Sequence, residues 1–78
     1  MSRWTDKVAE EVYQFIRAYK KAHGYPPSIR NIADHCLISR SNVIRYLDKL
    51  EKQALIRREP NIPRGITILD EVEDEEDE

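Results

Sequence analysis

The spacing of apolar residues changes once along this chain, and the position of that change limits the fold more than any other feature. As far as Leu50, apolar side chains recur at intervals of three and four; beyond Gln53 they alternate. Val8, Val12, Phe15, Ile16 and Tyr19 form one face of a helix predicted from Thr5 to about His23, with the Thr5 hydroxyl as its N-cap and Asp6, Glu10 and Glu11 at the positive end of its dipole. Gly24 ends that helix, and Tyr25-Pro26-Pro27 cannot continue it. Ser28 caps a short second helix in which Ile29, Ile32, Ala33 and Cys36 share a side. After a break at Leu37-Ile38, Ser39 caps a third helix with Val43, Leu47 and Leu50 on its inner face. Ser41, Asn42, Arg45, Asp48, Lys49 and Lys52 lie on the opposite face.

The alternating runs Leu55 to Arg58 and Gly65 to Leu69 are short strands, joined by a turn-rich loop with Pro60 and Pro63 near its ends. Two short helices close in sequence, the second with a polar and basic outer face, make a helix-turn-helix, and a β-hairpin following it is a wing. The predicted fold is mainly α with a small β-hairpin: a three-helix winged helix-turn-helix.

Charge divides the chain. The 13 Lys and Arg against 15 Asp and Glu give a net of -2, which argues weakly against a polyanionic partner. Eight of the acids fall in residues 70–78, DEVEDEEDE, so residues 1–69 hold 13 bases against 7 acids, a net of +6. A block of like charge with almost nothing to bury reads as a disordered tail, which sets the domain boundary at residue 69.

At 78 residues there is one modest core and no room for a deep substrate cavity. An enzyme is not expected: there is no Gly-rich phosphate loop, Ser39 and Ser41 lack a base with an orienting acid, and His23, His35 and Cys36 do not assemble a metal-ligand set. No cofactor is expected. Cys36, on the apolar side of the second helix, reads as a small buried hydrophobe, and Trp4 as a cover for one end of the core. No apolar run is long enough to cross a bilayer and the N-terminus lacks the apolar stretch of a signal peptide, so a cytoplasmic, nucleoid-associated protein is expected.

GYPPSIRNIADH (Gly24 to His35), SRSNVIRYLDKLEKQALIRR (Ser39 to Arg58) and EPNIPRGITIL (Glu59 to Leu69), with VYQFIRAY (Val12 to Tyr19) ahead of them, closely resemble the N-terminal DNA-binding domain of LexA-type repressors. The resemblance covers roughly residues 5–69 in order, including the prolines before the second helix and the Pro-Arg-Gly-Ile of the wing. It departs in two places. Leu37 stands where the family has glycine in the turn, in a segment one residue shorter, and a non-glycine residue in a left-handed turn costs about 1 kcal/mol, so a different local geometry is expected there. The self-cleaving, dimerising domain of these repressors, with its Ser-Lys pair and scissile Ala-Gly bond, has no counterpart here. The resemblance therefore implies the DNA-binding half alone.

A helix fits the major groove of B-DNA with the residues near its N-terminus at the base edges. The expected base contacts are Ser41, Asn42, Ile44 and Arg45: arginine pairs with guanine, asparagine with adenine, and isoleucine meets a thymine methyl. The expected backbone contacts are Ser28 and Arg30 at the second helix, Ser39, Arg40 and Lys49 at the third, and Asn61 and Arg64 on the wing. Tyr46 is expected to pack, against the wing, rather than stack on bases. With no dimerisation helix or heptad seam, a monomer that pairs on a palindromic site is expected. The alternative is a winged-helix protein-interaction module. An exposed apolar patch of Ile44, Tyr46 and Ile62 would favour it, whereas Arg45, Lys49 and Arg64 on one face favour DNA. The acidic tail reads as a solvated terminus, a competitor for the basic body, or a dock for a basic protein partner.

Overall fold

A computed structural model describes residues 6–59, 61, 62 and 64–69. Its elements follow the order α1 (Lys7–His23), α2 (Ile29–Cys36), α3 (Arg40–Lys52), β1 (Ile56–Arg58) and β2 (Ile66–Ile68). The three helices and the hairpin are those the periodicity anticipates. Trp4, Thr5 and the acidic segment 70–78 lie outside the described residues.

Each helix begins where a side chain satisfies its free amides. The cap of α1 is Asp6, one residue beyond the expected Thr5: its Oδ1 accepts from the Val8 and Ala9 N–H groups at 2.9 and 3.3 Å. A carboxylate there meets both the orphan amides and the positive end of the dipole, which a hydroxyl does less well. At α2 the Ser28 hydroxyl accepts from Asn31 N–H while the Asn31 side chain accepts from Ser28 N–H, a reciprocal pair that fixes the chain leaving the two prolines. At α3 the Ser39 hydroxyl accepts from Asn42 N–H at 3.1 Å.

The turn between α2 and α3 keeps a left-handed residue without glycine. Leu37 sits at φ 59, ψ 45, and its N–H closes the helix onto the Ala33 carbonyl. Leucine thus adopts here a backbone that its own side chain disfavours. The packing of Ile32 and Ile38 on either side holds the turn in place, and the Leu37 side chain projects outward, 88% exposed. Gly24, at φ 85, ends α1 in the same conformation without that penalty.

Helix α3 is the common wall of the molecule, packing against α1, α2 and β1. Val43, Leu47 and Leu50 are fully buried and meet Val12 and Ile16 of α1, Ile32 of α2, and Leu55, Ile56, Ile66 and Ile68 at the hairpin. The strands pair antiparallel with Ile56 opposite Ile68 and Arg58 opposite Ile66, so alternation turns Ile56, Ile66 and Ile68 inward and Arg57 and Thr67 outward. Tyr46 packs against this core, and Cys36 is half-buried rather than fully buried. Gly65 closes the wing loop: its N–H donates to the Ile62 carbonyl, its carbonyl accepts from Glu59 N–H at 2.7 Å, and a Cβ there would come within 2.9 Å of both the Glu59 and Ile62 carbonyl oxygens.

Replacing Leu37 with glycine removes the left-handed strain and little buried area. After the larger unfolded-state entropy of glycine, a gain of about 0.5 to 1 kcal/mol is expected in urea unfolding at neutral pH. An unchanged or lowered midpoint would contradict the strain.

Candidate nucleic-acid interface

The exposed surface of α3 divides two concavities. On one side a groove of about 690 Å³ runs between the start of α2, the α3 edge bearing Arg40, Ile44, Leu47 and Glu51, and the wing. Of the expected site residues, Ser28, Arg30, Arg40, Ile44, Asn61 and Arg64 line it. On the other side Arg45 and Lys49 border a smaller depression with Asp6, Tyr46 and Lys52. Ser39, Ser41 and Asn42 belong to neither lining; Ser41 is exposed at the start of α3 and Asn42 is half-buried at its edge. Arg45 and Lys49 thus border a different depression from the groove that Arg64 lines. The apolar patch divides in the same way: Ile44 and Ile62, 40% and 56% exposed, share the groove, while Tyr46 lies across the helix.

Several of these side chains already have partners. The Ser28 hydroxyl and N–H are both used in the capping pair, which leaves the Ile29 and Arg30 amides of the first turn facing out with no intrahelical acceptor. The Arg30 and Arg40 side chains are exposed beside that end. Lys49 Nζ donates to Asp6 Oδ2 at 3.1 Å, joining α3 to the cap of α1, and lies 5.8 Å from the Tyr46 ring centroid. Arg64 Nη1 donates to the Pro26 carbonyl at 2.9 Å and to the Tyr19 hydroxyl at 3.3 Å. Asn61 stands at φ 70 on the wing, a conformation asparagine tolerates better than most residues.

Two contributors escape the sequence reading. Arg58 Nη2 pairs with Asp48 and its Nε donates to Glu51 at 3.4 Å, neutralising both acids in the C-terminal half of α3. Its position could have been read from parity, since it is two residues from Ile56 and so faces α3. His35 stacks on Phe15 with ring centroids 4.1 Å apart, so it acts as a packing residue between α2 and α1. The Cys36 thiol is pushed up by burial, with Glu11 adding to the shift, which disfavours the reactive thiolate. Among the described residues no group of three or more His, Cys, Asp or Glu is placed to hold a metal ion, and no helix is long and apolar enough to cross a membrane.

The family profile for the LexA DNA binding domain matches residues 1–65, covering the three helices and the start of the wing. This chain belongs to the LexA DNA-binding domain family. It is 47% identical over 68 residues to the LexA repressor of Exiguobacterium sibiricum, 86% of this chain and 33% of that protein. It is 48% identical over 62 residues to the LexA repressor of Bacillus subtilis (78% and 30%) and 42% identical over 72 residues to that of Caldicellulosiruptor saccharolyticus (91% and 36%). The chain thus spans about a third of the length of the curated relatives it matches. Within the LexA DNA-binding fold, the geometry above assigns the capped start of α3 and the groove beside it to the outer surface.

The Lys49 hydrogen bond, with the Val8 and Ala9 amides, holds the Asp6 carboxyl below its ordinary value against a smaller opposing effect of burial. A lowered folded-state value means that this contribution is present at neutral pH and is lost as acid protonates the group. The gap in thermal midpoint between the wild type and Asp6→Asn should therefore be constant near pH 7 and shrink below about pH 4. A gap independent of pH would show that the charge on Asp6 contributes nothing.

Proposed function

We propose that this chain binds double-stranded DNA at a specific sequence and serves as a transcriptional regulator of repressor type, with α3 in the major groove and the wing on the backbone or minor groove. The observation that carries the reading is the exposure of Ser41, Ile44 and Arg45 just past the Ser39 cap of α3, in a chain of the LexA DNA-binding family. Residues near the N-terminus of a recognition helix are those that reach base edges. Arg45 reads a guanine by two hydrogen bonds, Ile44 meets a thymine methyl, and Ser41 and the edge-on Asn42 complete the set. This is a non-enzymatic role, and a DNA-bound protein resides with the nucleoid.

The phosphate contacts follow the free cations. Arg30 and Arg40 flank the outward amides of α2, where a phosphate gains both charge and hydrogen bonds. The Ser28 and Ser39 hydroxyls retain their hydrogens for donation, Asn61 meets the backbone from the wing, and Lys49 reaches a phosphate by exchanging its exposed pair with Asp6. Such a pair is worth little in water and is readily exchanged. We place the domain boundary at residue 69. The eight acids beyond it carry a charge suited to a basic protein partner. A single winged helix reads only a few base pairs, so specificity comes from two copies on a palindrome, each a monomer of 9.2 kDa in solution.

Titration of a selected duplex over a range of salt tests this. Five neutralised phosphates give a slope of log affinity against log salt near -4.5. Arg40→Ala is expected to weaken binding to all sequences and reduce that slope by about 0.9. Arg45→Ala is expected to cost about 1 to 3 kcal/mol and to relax preference at one base pair. A slope near zero for the wild type would defeat the proposal.

A further inference from the structure

Arg64 is, with Asn61, a wing residue that the sequence offers as a phosphate contact, yet its surroundings give it another task. Its backbone is left-handed, at φ 61, a conformation that turns the side chain of a non-glycine residue out of the usual strand direction. The guanidinium reaches across 38 and 45 residues of sequence to the Pro26 carbonyl and the Tyr19 hydroxyl, both through Nη1. Its carbon lies 4.7 Å from the centroid of the Tyr25 ring and 5.7 Å from that of Tyr19. Two hydrogen bonds and two ring faces thus engage one side chain.

The rings beneath Arg64 are themselves linked. Tyr19 and His23 lie 4.0 Å apart between centroids, Tyr19 and Tyr25 6.0 Å, Tyr19 and Phe15 5.6 Å, and Phe15 stacks on His35 of α2. A continuous aromatic row therefore runs from α2 across the last turns of α1 to the loop before Ser28, and Arg64 joins the wing to its end. Tyr25 is 45% exposed, so the row reaches the surface at the ring on which Arg64 lies. Among the described residues, the main-chain links of the wing are the short ladder to β1, the Leu69 N–H bond to the Leu55 carbonyl beside it, and the bonds that close its own loop. A two-stranded hairpin with three residues per strand is marginal by itself, so a side-chain anchor near its tip has a large effect on where the tip sits.

We propose that Arg64 is a positioning residue: it straps the wing to the α1–α2 loop and fixes the width of the groove between wing and α3, instead of serving chiefly as a phosphate ligand. The strap holds Asn61 and Ile62 at a set distance from Arg40 and Ile44 across the groove. Binding then gains from a wing that is already in place, because its ordering is not charged against association. The chemistry depends on the planar guanidinium, which can stack on Tyr25 while donating in its plane to two oxygens; an ammonium has no planar face to stack, and the shorter reach of lysine's single nitrogen does not serve both sites in this geometry.

The proposal rests on the DNA reading for its consequence but not for its existence, so two measurements separate them. In the DNA-free protein, Arg64→Lys, which keeps the charge, is expected to raise amide hydrogen exchange at Glu59 and Gly65, the hydrogen-bonded amides of the wing loop, roughly ten-fold while leaving that of Val43 and Leu47 in α3 unchanged. Unchanged wing exchange would overturn the strap whatever happens with DNA. On a selected duplex, Arg64→Lys and Tyr25→Ala should each weaken binding by roughly ten-fold, and the double variant should lose little more, because both break one linkage. Arg64→Ala should show the same loss with an unchanged salt slope. If instead Arg64→Lys binds as the wild type does, and Arg64→Ala lowers the slope by about 0.9, Arg64 is a phosphate ligand and the strap is wrong. Failure of the wild type to bind any duplex would defeat the DNA reading while the exchange measurement still decides the strap.

Discussion

The burial of one face of α3 is the constraint on which the rest of the structure depends. Val43, Leu47 and Leu50 are the meeting point of α1, α2 and the hairpin, so α3 cannot turn without unpacking all three. A helix buried that firmly on one side presents its other side in a fixed orientation, and that side carries Ser41, Ile44 and Arg45. A recognition surface of this kind uses the stability of the core to hold side chains in place before any partner arrives. The small size of the domain makes the coupling stronger, since there is no second core to hold α3 if the first is disturbed.

Around this helix the protein uses arginine and lysine as ties as well as charges. Lys49 joins α3 to the Asp6 cap, Arg58 joins the wing to Asp48 and Glu51, and Arg64 joins the wing to the loop before α2. Each tie crosses between elements whose main chains share few or no bonds. Arg58 has an electrostatic effect too: by pairing with the two acids of α3 it reduces repulsion toward a polyanion near the helix. The +6 net of residues 1–69 thus overstates how many cations stand free, and the exposed Arg30, Arg40 and Arg45 lie on the first turns of α2 and α3.

What could be read from the sequence was whatever depends on neighbours in the chain. Ser28, Ser39 and Gly24 act within a few residues of themselves, and the 3.6-residue spacing of Val43, Leu47 and Leu50 declares a face without reference to what covers it. At the start of α1, Thr5 and Asp6 both suit the cap by sequence, and only the dipole and the Lys49 partner favour the carboxylate. Leu37 was expected to alter the turn because its own preference is against a left-handed backbone; packing on both sides of the turn outweighs that preference. The ties of Lys49 and Arg64 span 43, 38 and 45 residues, and no local pattern announces which cation meets which acceptor. For the same reason no local pattern separates Arg45 from Arg64, which border different depressions of the surface.

Selection of bound duplexes from a random library tests the central claim most directly, that the start of α3 reads base pairs on DNA. The account predicts an enriched palindrome whose half-sites lie about one helical turn apart, roughly 10 base pairs centre to centre or a multiple of it. Replacing Arg45 should erase preference at a single pair in each half-site and leave the spacing intact. Recovery of duplexes no different from the starting library, at low salt and with the full chain, would contradict it.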